Sequence, residues 1–197
     1  MPNRNHPPKG SIIRVEPIRS PQAVAAIEAL LESQARNRAI FCLGTNTNLR
    51  ASDMLKLTVG EVLGLQPGDS LIVREKKTKK VRRIVMNRKV FLALEAWLAE
   101  HPDPQPEAPL FPSQGRGAPL TVPSLNNLVK AWCRQVGLRG NYGCHSLRKT
   151  FGYMHRVVHG TDIPTLMVMF NHSSQKQTLT YLGIEETEVH DAYMKEV

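Results

Sequence analysis

Arg50, His145, Arg148, His172 and Tyr181 stand in sequence contexts that suit chemistry at a phosphate ester. Arg50 opens a short amphipathic run, Leu49-Arg50-Ala51-Ser52-Asp53-Met54-Leu55, and Asp53 follows one helical turn later, where a carboxylate can orient the guanidinium. His145 and Arg148, in His145-Ser146-Leu147-Arg148, share one face of a helix. His172 precedes Tyr181 by nine residues, and a lysine-rich run, Lys76-Lys77-Thr78-Lys79-Lys80, lies between the first arginine and the rest. Guanidinium groups stay charged and donate paired, coplanar hydrogen bonds. A pair of them suits a transition state that gathers negative charge on phosphate oxygens. A tyrosine hydroxyl, with an unperturbed pKa near ~10, is a weak nucleophile at neutral pH and needs a neighbouring base or positive field. His145 and the arginines can supply both. Lys77 can protonate a departing alkoxide, and His172 can hydrogen-bond a phosphate oxygen.

Singly, these residues are ordinary. A tyrosine in a helix is usually a core or surface residue, and Tyr193, the rival nucleophile, sits in a segment that reads as a packing helix. Tyr142 and Tyr153 read as structural, and His155, His159 and His190 as surface residues. Cys144 beside His145 does not make a catalytic pair, because adjacent helical residues do not face each other.

The elements needed to position these groups can be read from periodicity and punctuation. Residues 1–19 are polar, basic and proline-bearing, and are expected to form a flexible arm. Ser20-Pro21 reads as an N-cap with proline at the first helical position, followed by an apolar stripe through Ala23, Ala26, Ile27, Leu30 and Leu31. Helices are expected near 36–46 and 51–57. Two β-leaning segments, 70–75 and 81–87, flank the lysine run and predict a hairpin with a basic tip. Helices follow at 88–100 and 123–136, separated by a proline- and glycine-rich loop, and another begins near His145. Short helices are expected at 163–170, 175–181 and 185–195. The reading is a mainly α domain with a small antiparallel β-hairpin.

Charge points to the partner. The chain carries a formal net charge of +9, and the stretch 74–89 holds nine of its 26 lysines and arginines against a single acid, Glu75. The remainder is nearly neutral. One concentrated basic patch on a near-neutral body predicts a polyanionic partner, double-stranded DNA. The patch lacks the interleaved aromatics and helical apolar face of a membrane-surface segment. No apolar run approaches the ~20 residues needed to span a bilayer, and the N-terminus has no signal-peptide core. Cys42, Cys133 and Cys144 form no paired spacing and read as reduced thiols, which predicts a cytoplasmic, nucleoid-associated protein.

Taken together and in order, these motifs resemble the tyrosine recombinase (phage integrase) family. Leu49, Arg50 and Asp53 match its first arginine motif. Lys77 matches its hairpin lysine; His145, Leu147 and Arg148 match its His-x-Leu-Arg motif; His172 matches its later histidine; and Tyr181 matches its nucleophile. The resemblance runs from about residue 20 to the C-terminus. It implies an integrase-like catalytic fold and a covalent 3′-phosphotyrosyl intermediate that a second strand's 5′-hydroxyl reseals, with neither cofactor nor metal. Consistently, the chain has no Gly-rich phosphate loop and no clustered acids for a two-metal site. Lys76, Lys79, Lys80, Arg82 and Arg83 are the expected DNA contacts. The resemblance further implies a homo-oligomer on DNA, tetrameric in synapsis and monomeric when free, with residues 185–197 as the segment that docks on a neighbour.

Two departures stand out. The family has glycine before the later histidine where this chain has Asn171, a residue that tolerates the left-handed backbone better than most. The given sequence has only the short arm where most members have a separate N-terminal domain that clamps DNA; two readings stay open, a naturally short enzyme, which the initial Met-Pro favours, and a fragment of a longer one. Two other functions stay open: a non-catalytic DNA-binding module, and a type IB topoisomerase that relaxes supercoils without site preference. If the basic hairpin contacts phosphates, affinity for DNA will fall steeply between low and physiological salt. Titrating binding against salt checks this, and a flat response would remove the hairpin from the interface.

Overall fold

A computed structural model of the chain describes residues 15–75, 80–113, 117–183, 190–191 and 193–196. Among them are α1 (Pro21–Leu30), α2 (Ala35–Asn46), α3 (Ala51–Met54), α4 (Val59–Val62), β1 (Ser70–Arg74), β2 (Val81–Val85), α5 (Arg88–Ala99), α6 (Val122–Gln135), α7 (Cys144–Tyr153), α8 (Ile163–Phe170) and α9 (Gln175–Leu182). One π-helical turn, Met154–Val158, extends α7. The mainly helical fold with one small antiparallel sheet is as expected.

Helix α2 is the central post. From Ala39 to Thr45 every residue is buried, and it packs against α5 on one side and α7 on the other. A helix apolar on all sides belongs in a core. Its late threonines fit there because their hydroxyls donate back to the helix, Thr45 to the Phe41 carbonyl at 2.8 Å and Thr47 to that of Leu43 at 2.6 Å. Phe41 meets Trp132 of α6 edge to face, with centroids 6.1 Å apart. Gly44 lets α7 come close: a Cβ there would lie 2.7 Å from Leu147 Cδ1. The start of α7 is fixed by Asn126 of α6, whose side-chain oxygen accepts from the Cys144 amide at 3.1 Å. His145 and Arg148 are thereby set relative to the core.

The caps explain why the helices begin where they do. Ser20, Asn87, Thr121, Asp162 and Ser174 each accept an amide hydrogen bond from the first turn of the helix that follows. The helix expected at 51–57 ends at Met54, α4 was not expected, and two further parts of the chain depart from expectation. Residues 15–19 of the expected arm are packed: Ile18 is fully buried and its amide donates to Thr150 Oγ1 at 2.8 Å, while Glu16 and Asn141 exchange backbone and side-chain hydrogen bonds. The stretch after α5, expected as loop, sends Leu110 and Phe111 into the core, and Trp97 Nε1 donates to the Leu110 carbonyl at 2.7 Å. Proline-rich sequence hid this, because burial of an irregular segment depends on partners remote in sequence. Residues 1–14, and most of the helix expected at 185–195, lie outside the described residues.

Helices α8 and α9 rest on a second, smaller core of Phe151, Leu166, Phe170 and Leu182, with Tyr181 packed against it. Gly152 makes that contact possible. A Cβ there would fall 2.4 Å from Leu182 Cδ2 and 2.7 Å from Phe170 Cζ, both in fully buried side chains. Gly152→Ala would gain ~0.5–1 kcal/mol of helix propensity but cost about 1–3 kcal/mol of overpacking. Net destabilisation is therefore expected in a urea titration; a raised midpoint would mean that α9 can yield freely.

Candidate active site

Arg50 immediately precedes α3, on the polar stretch that ends α2. Its guanidinium lies 2.6 Å from Glu75 Oε2, a close charge contact whose N–H is poorly aligned, and 3.9 Å from Asp53 Oδ2. The sequence points to Asp53 as the orienting acid; the nearer carboxylate belongs to Glu75 at the end of β1. Glu75 is almost fully buried. Its presence as the sole acid in a strongly basic segment was the available signal, since a lone acid among many bases is well placed to be their counter-ion.

Arg148 is buried too. It donates through Nη1 to the carbonyl of Asn48 and through Nη2 to that of Phe170 at 3.2 Å. One guanidinium thus ties the segment leading into Arg50 to the turn leading into His172. Both segments turn through left-handed asparagines, Asn48 (φ 50°) and Asn171 (φ 57°), the second where the sequence reading anticipated it. Arg148 also lies over the rings of Phe170 (5.0 Å) and Tyr181 (6.0 Å), and Lys149 Nζ is 5.4 Å from the Tyr181 centroid.

His172 stacks on Phe170 with centroids 5.2 Å apart, meets Tyr181 edge-on at 5.4 Å, and shares a 3.0 Å hydrogen bond between Nδ1 and Thr178 Oγ1. Partial burial, followed by the charges of Arg148 and Arg50, holds its pKa down at about 4. His145 lies on the first turn of α7; partial desolvation of its ring, then the charges of Arg148, Arg50 and Lys149, hold it below its ordinary value, although the residue as a whole keeps an exposed face. Both histidines are therefore neutral at pH 7 and able to accept a proton or a hydrogen bond. The Tyr181 hydroxyl is buried, with no hydrogen-bond partner among the described residues. Burial pushes its pKa up, and the Arg148 and Arg50 charges pull the other way.

The expected DNA-facing residues divide. Lys76, Lys77 and Lys79 lie outside the described residues. On either side of them, the Glu75 amide donates to the Lys80 carbonyl at 3.0 Å. Lys80 is exposed and its Nζ reaches Asn171 Oδ1 at 3.3 Å; Arg83 is also exposed. Arg82, expected among them, instead turns inward to Glu75 Oε1 (3.0 Å), Asn48 Oδ1 and the Met169 carbonyl. Position 82 alternates with 83 across the strand, and only the inner face meets the acid.

Arg50, His145, Arg148, His172 and Tyr181 thus gather at one place, with the hairpin base beside them. The sequence profile described as the phage integrase family matches residues 17–188. The chain belongs to the phage integrase family. It is 34% identical over 181 residues to a probable integrase/recombinase, YoeC, of Bacillus subtilis (strain 168), covering 91% of this chain and 95% of that one. It is 29% identical to the tyrosine recombinase XerC of Bradyrhizobium diazoefficiens, covering 81% of this chain but only 49% of the relative. The fold matches the crystal structure of XerA recombinase with a TM-score of 0.72 at 19% identity, over 94% of this chain and 68% of that one. It also matches the XerH site-specific recombinase bound to palindromic difH substrate, a post-cleavage complex, with a TM-score of 0.70 at 21% identity over 91% and 53%. The chain therefore spans about half the length of several relatives. Its fold is that of integrase and recombinase catalytic domains. Among the described residues, no helix is long and apolar enough to cross a membrane.

The lowered pKa of His172 has a consequence for stability. The folded value of about 4 lies below the ordinary 6.5, so the unfolded chain takes up the proton first as pH falls. Stability is unaffected by this group above about pH 6.5 and declines from there towards about pH 4. With solvent screening at a half-exposed ring, roughly 1–2 kcal/mol is at stake. Urea midpoints at pH 7 and pH 5 should separate more for the wild type than for His172→Gln. Equal separations would place the acid sensitivity elsewhere.

Proposed function

We propose that this chain is the catalytic domain of a site-specific DNA recombinase that cleaves and rejoins strands through Tyr181. The observation that carries this reading is the buried Tyr181 hydroxyl, set against Arg148 and His172 within the field of Arg50. In the free protein, burial keeps the phenol protonated. A scissile phosphate between Arg50 and Arg148 would offset part of their charge and bring phosphorus to the oxygen. His145, neutral at pH 7, takes the phenol proton as the Tyr181 oxygen attacks. The bond from phosphorus to the 5′ oxygen breaks, and that oxygen takes a proton from Lys77. His172 and both arginines hold the non-bridging oxygens. The resulting 3′-phosphotyrosyl linkage retains the ester, so attack by another 5′-hydroxyl reverses the step on a new strand.

Lys76, Lys79, Lys80 and Arg83 are assigned to the DNA backbone, and Arg82 is withdrawn from that role. Family membership and the DNA-bound recombinases of like fold support DNA as the partner. Assembly into a tetramer on paired sites, with a monomer in free solution, fits this reading, as does work in the cytoplasm on the nucleoid.

The test is a nicked suicide substrate carrying candidate sites, incubated with wild-type protein and with Tyr181→Phe. The expected result is a denaturant-resistant protein–DNA adduct that disappears in the variant. DNA that is bound but never joined to protein would favour a non-catalytic binding module.

A further inference from the structure

Arg82 occupies the most basic stretch of the chain yet is almost withdrawn from solvent, with 11% of its side chain exposed, while its neighbour Arg83 faces outward. Burying a guanidinium is costly unless its donors are matched. Here the match is specific. Nη1 meets Glu75 Oε1 at 3.0 Å, and Nη2 is shared by Asn48 Oδ1 and the Met169 carbonyl. The other Glu75 oxygen lies 2.6 Å from Arg50. Asn48 also donates from Nδ2 to Met169 at 2.6 Å, and its own carbonyl receives Arg148.

The three acceptors come from three pieces of the site. Glu75 directly follows β1, Asn48 stands two residues before Arg50, and Met169 stands three before His172. We propose that Arg82 is a positioning residue, which fastens the hairpin base to the Arg50 and His172 segments and thereby sets Arg50 for strand cleavage. This inference rests on the cleavage reading above. Two effects follow from the geometry. Arg82 fixes the carboxylate that orients Arg50. It also offsets that carboxylate's charge, so the site keeps its positive field; without it, Glu75 would be neutralised by Arg50 alone. On the outer edge, Lys80 reaches Asn171 in the same way that Arg82 reaches Asn48, so both left-handed asparagines receive a cation from the start of β2 or the residue before it.

The experiment uses the full chain and the variants Arg82→Met, Arg82→Lys and Asn48→Gly. Glycine adopts the φ of 50° freely, so Asn48→Gly deletes the side-chain links without straining the turn. Three quantities are read: adduct rate on saturating suicide substrate, DNA affinity, and melting temperature. Arg82→Met is expected to lower the adduct rate of folded, DNA-saturated protein roughly tenfold to a hundredfold, with affinity little changed. Arg82→Lys should recover part of the rate, and Asn48→Gly should show a smaller loss of the same kind. A merely structural bridge would lower the melting temperature and leave the rate of folded, saturated protein intact, which would overturn the proposal. So would a deficit that saturating DNA abolishes. If Arg82→Met fails to fold, Arg82→Lys and Asn48→Gly decide in the same way. Wild-type adduct formation with unchanged variants would overturn this proposal alone; wild-type protein that binds DNA without forming adduct would overturn the cleavage reading as well.

Discussion

Three guanidinium groups, those of Arg50, Arg82 and Arg148, converge on one small region, and their mutual repulsion is the constraint to which the rest of the site answers. Positive charge is held in a partly desolvated place only if acceptors are supplied. Glu75 supplies the nearest full negative charge and is divided between Arg50 and Arg82. The carbonyls of Asn48, Met169 and Phe170 supply the rest as dipoles. Carbonyls accept hydrogen bonds without cancelling charge, so the site keeps a field that an incoming phosphate can meet. Full neutralisation by several carboxylates would have given a stable salt-bridge cluster with little attraction for an anion.

The same contacts assemble the fold around the site. Arg148 comes from a helix anchored in the main core, yet its carbonyl partners lie elsewhere: Asn48 on the irregular segment after α2, and Phe170 at the last residue of α8, next to the Asn171 turn. Their conformation depends on left-handed residues, and asparagine takes that backbone while offering an amide that glycine lacks. Asn48 and Asn171 therefore act twice, once as turns and once as acceptors for Arg82 and Lys80. Tyr181 rides on the small satellite core, separate from the main one. A small apolar cluster allows local adjustment at lower free-energy cost than the main core, which suits the role proposed for Tyr181. Its contact with α7 relies on the missing side chain at Gly152.

Much of this was legible in the sequence. Ser20-Pro21 marked the start of α1, and the β-leaning segments flanking the lysine run marked both strands, because capping and strand propensity are local properties. The spacing of His145 and Arg148, and the run from His172 to Tyr181, marked the candidate set, and the Asn171 turn followed from the glycine that the family resemblance implies there together with asparagine's tolerance of the left-handed backbone. Other features were not legible. Asp53 was the sequence neighbour able to orient Arg50, but Glu75 reaches it more closely from a strand that is remote in sequence. Arg82 looked like one more surface base; the strand's inward face and a buried acid withdrew it. Residues 15–19 had the composition of a free arm, and one isoleucine fitting beside Thr150 docks them.

The sequence by itself determined most of the longer helices and both strands, which residue types are available for chemistry, and that the positive charge is concentrated around one hairpin. Those properties depend on interactions over a few residues, or simply on counting. Only the tertiary structure decided how the cations are shared: Arg148 bridges two backbone turns, Glu75 serves two arginines, and Arg82 faces in while Arg83 faces out. Electrostatic energy in a partly buried site depends on distances of a few ångströms between residues separated by tens of positions in the chain. Spacing along the sequence does not specify those distances; the packing of α2, α7 and the hairpin does.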